Sequence, residues 1–290
     1  MVEKMVSYDE WLRAAEFVSL RDGKVAYVHR GEGQPLIMVH FWGGESWWFS
    51  RVIDRLAEHF SVYAIDLPGL GQSDVPLLPY GVEEFADSAV EFMNRMGIDK
   101  ADWVGVHGGG LIGAHIAATR PTRIRRLVLD GYPQWNSTEG RQLFRDTVKP
   151  TWMDEKEWMI PTYKGWAGIS DGSYDYFPSL KGTPEHDVCL HRVGDGFTKN
   201  AKWAGEILKE AFKYDSFARV PQIQAPTLCV YGEDDWGGGA VGEGEPPLRR
   251  LLHLLRGPES ATISNAGLVP AYEQPGPWLR IVLDFLTRLG

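Results

Sequence analysis

Residues 102–113 read DWVGVHGGGLIG. A short apolar run meets a cluster of glycines and then enters LIGAHIAATR, where apolar residues recur at helical spacing. A strand that turns this fast into a helix needs φ > 0 at the apex and neighbours with almost no side chain. The apex falls on His107, with Gly105 two residues before it and Gly109 two residues after it. An elbow of this kind lifts one side chain above the C-terminal edge of a sheet. An imidazole in that position is what the rest of the reading has to explain.

On both sides of the elbow, strands and helices alternate. Glu16–Leu20 and Lys24–Arg30 flank Asp22-Gly23, a hairpin signal. Leu36–His40 and Ser61–Ile65 are short apolar runs that read as buried strands. An amphipathic segment is expected from Phe49 to Glu58. Val82–Met96 has helical apolar spacing and stops at Gly97, a C-cap signal. Asp102–Val106 leads into the elbow, Gly109–Arg120 leads out, and Ile124–Leu129 is the next strand. This alternation predicts a mostly parallel sheet with helices on both faces.

The pattern breaks at Tyr132 and resumes at Pro226 with PTLCVYGEDD. A weak helix over Leu248–Leu255, a strand over Ala261–Ser264 and a helix over Pro277–Leu289 complete the chain. The sequence therefore divides into a core, 1–131 and 221–290, and an insertion, 132–220, rich in large rings such as Trp135 and Trp158. An insertion beside the C-terminal strand ends can cover the crevice where open α/β sheets bind ligands. Tyr132, Trp135 and Trp158 are expected to line an apolar substrate pocket under this lid. The alternative is that the rings hold a helical subdomain together.

Composition narrows the partners. With 290 residues there is room for one large domain with an insertion. A net charge of −9 argues against nucleic acid and against an anionic membrane surface. Two cysteines make no disulfide framework, and no residues show metal-ligand spacing. MVEKMVSYDEWL has no apolar stretch of the signal-peptide kind, and no run approaches the roughly 18 apolar residues of a spanning helix. The expectation is a cytoplasmic monomer or homodimer that takes a small hydrophobic molecule and needs no cofactor.

Several segments resemble the α/β-hydrolase family. VHFWGG is similar to the family's loop after the third strand, and DLPGLGQSD to its D-x-P-G-x-G-x-S turn, the most specific match. GVHGG matches the elbow, and PTLCVYGEDD resembles the strand and turn that carry the catalytic acid. SNAGLVPAYEQP resembles the segment in which the family writes N-A-G-H before Glu-x-Pro. The resemblance implies an α/β-hydrolase fold with an inserted helical lid and puts the acid on Asp235, with Asp234 beside it. Two positions depart from the family. His107 occupies the nucleophile position and Leu268 the position of the catalytic histidine, so a Ser-His-Asp triad is missing two of its members.

What survives is an oxyanion hole and an imidazole. The N–H of Gly108 and that of Phe41 or Trp42 are expected to face the pocket, and such donors hold developing negative oxygen. His107, oriented by Asp235, can take or give a proton, while Leu268 fills the remaining space and meets substrate. These parts suit cyclisation, elimination or isomerisation of an aromatic or polyketide-like carbonyl compound. A second reading keeps hydrolysis, with His107 activating water against an ester, lactone or epoxide. A third is a ligand-binding protein with a dead site. A fourth rests on GGGLIG, residues 108–113, with Asp130 ending the next strand, a match to the dinucleotide-binding fingerprint.

His40 is expected to pack under the oxyanion loop, His115 to be a core histidine and Asp66 to hold its turn. Glu45 either faces the pocket or caps the next helix, and Asp130 either lines the site or caps a turn. His186 and His191 belong on the surface of the insertion unless one swings over the pocket.

Overall fold

A computed structural model describes residues 6–133, 177–198, 207, 210–211, 213–235 and 247–288. Within these, β1 (Glu16–Leu20) and β2 (Gly23–Arg30) form the expected hairpin, with Gly23 at φ 140° in its turn. β3 (Gln34–Val39), β4 (Phe60–Ile65), β5 (Ala101–Val106), β6 (Ile124–Asp130), β7 (Thr227–Gly232) and β8 (Glu259–Ile263) follow. The eight strands make one sheet in the order β1-β2-β4-β3-β5-β6-β7-β8. β1 and β2 run antiparallel, and the other six are parallel to one another.

Period-two alternation gives the central strands two buried faces. Ile37, Val39, Trp103, Leu127, Leu129, Cys229 and Tyr231 share one core with the helices α3 (Val82–Arg95) and α4 (Gly108–Thr119). Leu36, Met38, Val104, Val106, Val128, Leu228 and Val230 share the other with Trp47, Trp48 and Trp278. Each such side chain contributes about 1.5–3 kcal/mol on full burial. On α3, Val82, Phe85, Ala86, Ala89, Phe92 and Met93 form the buried stripe. Its first turn holds Glu83 and Glu84, and Glu84 accepts the Gly81 N–H at 2.9 Å. Gly97, at φ 70°, ends it.

The expected amphipathic segment over Phe49–Glu58 is built in two short pieces, a tight turn over Ser46–Phe49 and the single helical turn α2 (Ile53–Leu56). Trp47, Trp48, Phe49, Val52, Ile53 and Leu56 are all buried. Asp54, Arg55 and Glu58 are exposed, so the segment is amphipathic, but its entry is not set by helical periodicity. Polar anchors fix the entry instead: Ser46 N–H donates to Asp66 Oδ1 at 2.7 Å, and Trp11 Nε1, from α1 (Tyr8–Arg13), donates to Ser46 Oγ at 3.0 Å.

The part of the insertion that is described includes helix α5 (Pro184–Thr198). It meets the core through a polar cluster. Arg51 is paired with Glu185, and Tyr272 Oη donates to Glu185 Oε1 at 3.1 Å. Arg51 also lies 4.5 Å over the Tyr272 ring. The C-terminal helices α6 (Pro247–Leu254), α7 (Pro270–Glu273) and α8 (Pro275–Thr287) complete the described fold. Among the described residues no helix is long and apolar enough to cross a membrane.

The elbow is the tightest backbone contact between helix and sheet. A β-carbon at Gly109 would lie 2.2 Å from the Val39 carbonyl oxygen, and one at Gly105 would lie 2.2 Å from the Gly109 carbonyl oxygen. Gly109→Ala should therefore destabilise the protein by about 1–3 kcal/mol, the usual cost of overpacking a closed core. Urea unfolding followed by circular dichroism should show a lower midpoint with unchanged slope. An unmoved midpoint would contradict this packing.

Candidate active site

His107 is the residue between β5 and α4, at φ 45°, ψ −104°. It is one of two described non-glycine residues with positive φ. Its N–H donates to the Asp130 carbonyl at 2.8 Å, and its carbonyl accepts the Gly110 and Leu111 N–H groups at 2.9 and 3.1 Å. These bonds, and glycines where β-carbons would clash, hold a conformation that costs energy in isolation. The glycines of 108–113 are thereby explained by packing. At Gly113 a β-carbon would lie 2.3 Å from Trp103 Nε1, and that indole donates to the Gly109 carbonyl at 3.0 Å.

The imidazole reaches across the strand ends. His107 Nε2 lies 3.2 Å from Asp235 Oδ2, beyond the end of β7. The distance is that of an ion pair, whereas the alignment is not that of a hydrogen bond. Nε2 faces the acid, which leaves Nδ1 as the nitrogen turned away from it. Both residues are closely covered, His107 at 4% exposure and Asp235 at 2%. Beneath the pair is Gly131, at φ 62°; a β-carbon there would lie 2.5 Å from His107 Nε2 and 2.8 Å from Asp235 Oδ2. Gly131 was not singled out in the sequence, although a glycine directly after a central strand was a usable signal.

On the other side of the apex the Gly108 N–H starts α4, where the helix dipole favours negative charge. The Trp42 indole lies directly on Gly108, since a β-carbon there would fall 2.3 Å from Trp42 Cε2. Phe41 is buried against Trp48, and its carbonyl accepts the Gly44 N–H at 2.9 Å. His40 is the support beneath this loop. Leu67 N–H donates to His40 Nε2 at 3.0 Å, so Nδ1 carries the proton and donates to the Phe41 carbonyl at 2.8 Å. Burial lowers the His40 pKa. Asp66 closes the neighbouring turn, accepting from Ser46 and Gln72 N–H groups.

Other candidates separate into packing and surface positions. Tyr132 is fully buried, in the core beside Phe217, with ring centroids 6.1 Å apart. Leu268 is buried in the opposite core with Trp278 and Tyr272. Trp135 and Trp158 lie outside the described residues. His115 bonds Tyr214 Oη at 2.6 Å. His186 is half-buried and His191 exposed on α5. Glu45 precedes the Ser46 turn without a side-chain cap bond and accepts from Tyr8 Oη at 3.0 Å. It borders a cavity of about 440 Å³ beside the loop after β3, with Tyr8, Arg192 and Asp195 on its other walls. Asp130 caps no turn with its carboxyl, which accepts the Trp278 Nε1–H at 2.7 Å. Among the described residues no cluster of His, Cys, Asp and Glu is arranged to hold a metal ion.

Glu273 is the main residue missed in the sequence. Its Oε1 accepts the Gly267 and Val269 N–H groups at 2.8 and 3.3 Å, so it clamps both sides of Leu268. Its Oε2 accepts the hydroxyl of Ser179, from the insertion, at 2.8 Å. Burial pushes its carboxyl up to about 7, against the pull of the Ser179 hydroxyl and the two amides.

Comparison with known proteins agrees with the fold. Residues 34–155 match the alpha/beta hydrolase fold family. The soluble epoxide hydrolase of Corynebacterium sp. (strain C12) is 35% identical over 112 residues, 38% of this chain and 39% of that protein. The pimeloyl-[acyl-carrier protein] methyl ester esterase of Yersinia pestis is 38% identical over 99 residues, 34% of this chain and 36% of that one. The chain thus spans well under half the length of these curated relatives. Among solved structures, the enol-lactonase from Burkholderia xenovorans LB400 superposes with a TM-score of 0.73 at 21% identity, over 94% of this chain and 100% of that one. A thermophilic esterase from Thermogutta terrifontis gives 0.74 at 20% identity, over 94% and 98%. The chain has the α/β-hydrolase fold, and residues 34–155 carry the match to that family.

The clamp at Glu273 gives a pH signature. Its pKa is raised from 4.5 to about 7, so the native protein keeps a proton that the unfolded chain releases within that window. Stability therefore falls as pH rises from about 4.5 to about 7 and levels off beyond it. Glu273→Gln keeps an acceptor for the Gly267 and Val269 N–H groups, reverses the bond to Ser179 and removes the titration. Its thermal unfolding midpoint, relative to wild type, should be higher on the alkaline side of the window than on the acid side. A difference that does not change with pH would refute the assignment.

Proposed function

We propose that this protein is a hydrolase that cleaves a carboxylic ester or lactone of apolar body with water activated by His107. The observation that carries the reading is the apex imidazole, 3.2 Å from the Asp235 carboxylate and beside the first N–H of α4. Asp235 orients Nε2 and stabilises the cation that forms. Nδ1 takes a proton from a water molecule as the water oxygen bonds to the carbonyl carbon. The new oxyanion is held by the Gly108 N–H and by a second donor from Phe41 or Trp42. On collapse the carbon–oxygen bond to the leaving group breaks, the alcohol departs with the proton from the imidazolium, and the acid remains. No hydroxyl at the apex means that no serine ester intermediate forms.

The curated relatives support hydrolysis over cyclisation, elimination or isomerisation, since those quoted above are an epoxide hydrolase and an ester esterase. The oxyanion donors favour a carbonyl substrate over an epoxide, where the leaving oxygen needs an acid instead. Leu268 and the rings of the insertion, Trp135 and Trp158 among them, are proposed as the apolar surround of the substrate, while Tyr132, fully buried in the core, packs behind it. The insertion over 132–220 is proposed as its cover.

A panel of aryl and alkyl esters, lactones and epoxides tests the reading. Solvent oxygen-18 should enter the acid product, and intact-mass measurement during turnover should show no acyl adduct. His107→Ala should lower kcat by about 10²–10⁴-fold, the usual contribution of a general base. Unchanged turnover in that variant, or a product without solvent oxygen, rules the mechanism out. Gly131→Ala should displace the imidazole from Asp235 and cost about 10²-fold in kcat, as misplacement of a reacting group does. Wild-type turnover in Gly131→Ala would show that the pair is not the reacting unit.

A further inference from the structure

β6 ends in a carboxyl that the mechanism above does not use. β6 lies between β5, which delivers His107, and β7, which leads to Asp235. Val106 pairs with Asp130 on one side, and Asp130 pairs with Val230 on the other. The Asp130 carbonyl holds the His107 N–H, and the next residue, Gly131, is the floor under His107 Nε2 and Asp235 Oδ2. Three neighbouring strand ends thus gather one imidazole and two carboxyls.

The Asp130 side chain is fully buried. Oδ2 accepts one hydrogen bond, from Trp278 Nε1 at 2.7 Å. Oδ1 is buried and makes no hydrogen bond among the described residues. A carboxylate has about four acceptor sites, and one donor compensates its desolvation poorly. The Trp278 bond does not itself require an ionisable group, because an amide oxygen would accept it equally well.

The charges around Asp130 come from three elements. Among the described residues that act on it most, His107 at the end of β5 is the potential cation, while Asp235 after β7 and Glu273 on α7 are acids. Burial pushes the Asp130 carboxyl up to about 7, and Asp235 and Glu273 add to this. The Trp278 N–H and His107 pull the other way. Ionised together, Asp130 and Asp235 would place two like charges in a nearly dry site.

We propose that Asp130 is a protonated positioning residue of the His107–Asp235 site, limiting the resting site to the single negative charge of Asp235. A positive charge on His107 favours ionisation of Asp130, and the Asp235 carboxylate opposes it. The proposal rests on His107 and Asp235 being the reacting pair of the reading above. It makes Asp130 a group that sets the charge the imidazole feels, without contact to substrate.

Carbon-13 NMR of aspartate carboxyls tests this in the absence of turnover. In wild type one resonance should titrate near neutrality, far above the others, and Asp130→Asn should remove it. In His107→Asn that resonance should titrate higher still, because the stabilising cation is gone. The pH profile of kcat should lose one ionisation near neutrality in Asp130→Asn. A resonance assigned to Asp130 that titrates in the ordinary carboxylate range, or one that His107→Asn leaves in place, overturns the proposal. The wild-type and His107→Asn spectra decide it even where Asp130→Asn does not fold. Loss of the hydrolytic reading alone, through wild-type turnover in His107→Ala, leaves these spectra unchanged and so is separable.

Discussion

The structure depends on one close approach of backbones. α4 lies so near β3 and β5 that no β-carbon fits at Gly105 or Gly109, and the Trp42 and Trp103 indoles occupy the space where side chains at Gly108 and Gly113 would stand. A helix seated this tightly leaves one residue to make the turn from strand to helix, and that residue takes φ 45°. His107 is therefore held by its surroundings and projects where the strand ends. The cost of its conformation is offset by packing of the elbow, which is why the site and the core cannot be separated energetically.

The same constraint explains why most of the fold was legible. Runs such as Leu36–Val39 and Thr227–Gly232 are short, apolar and bounded by turn residues, so their assignment as central strands follows from periodicity and length. Val82–Arg95 carries its stripe, its acidic first turn and its terminal glycine in plain view. The Ser46–Phe49 turn before Phe49–Glu58 was less legible, because every position in it is buried and no periodicity marks it. There the outcome is set by Asp66 and Trp11, both distant in sequence, bonding to Ser46.

The site was legible in part, and the boundary is physical. His107 and Asp235 stand in turns with recognisable glycines and acids, so their nearness followed from strand order. Gly131 has no side chain to announce a role; its importance appears only once two other side chains lie over it. Glu273 and Asp130 act through partners that are close only after folding: Ser179, Gly267 and Val269 for one, Trp278 for the other. A sequence shows which residues are acidic, and only the fold shows which acids have lost their water.

Placing the imidazole at the apex changes the electrostatic task of the surroundings. In a triad, the imidazole stands between a neutral hydroxyl and one carboxylate, and the charge it acquires is met by that carboxylate alone. Here the imidazole is fixed to the elbow, and Glu273 pins the segment around Leu268 by the amides on either side. With His107 and Asp235 nearly covered, bulk water screens little of the charge the ring acquires. Neutrality must then be balanced by the carboxyls at the neighbouring strand ends. Asp130, Asp235 and Glu273 exceed what one imidazolium can compensate, and burial raises Asp130 and Glu273 toward neutrality. The chemistry such a site can support follows from how protons are shared among its acids as much as from the imidazole itself.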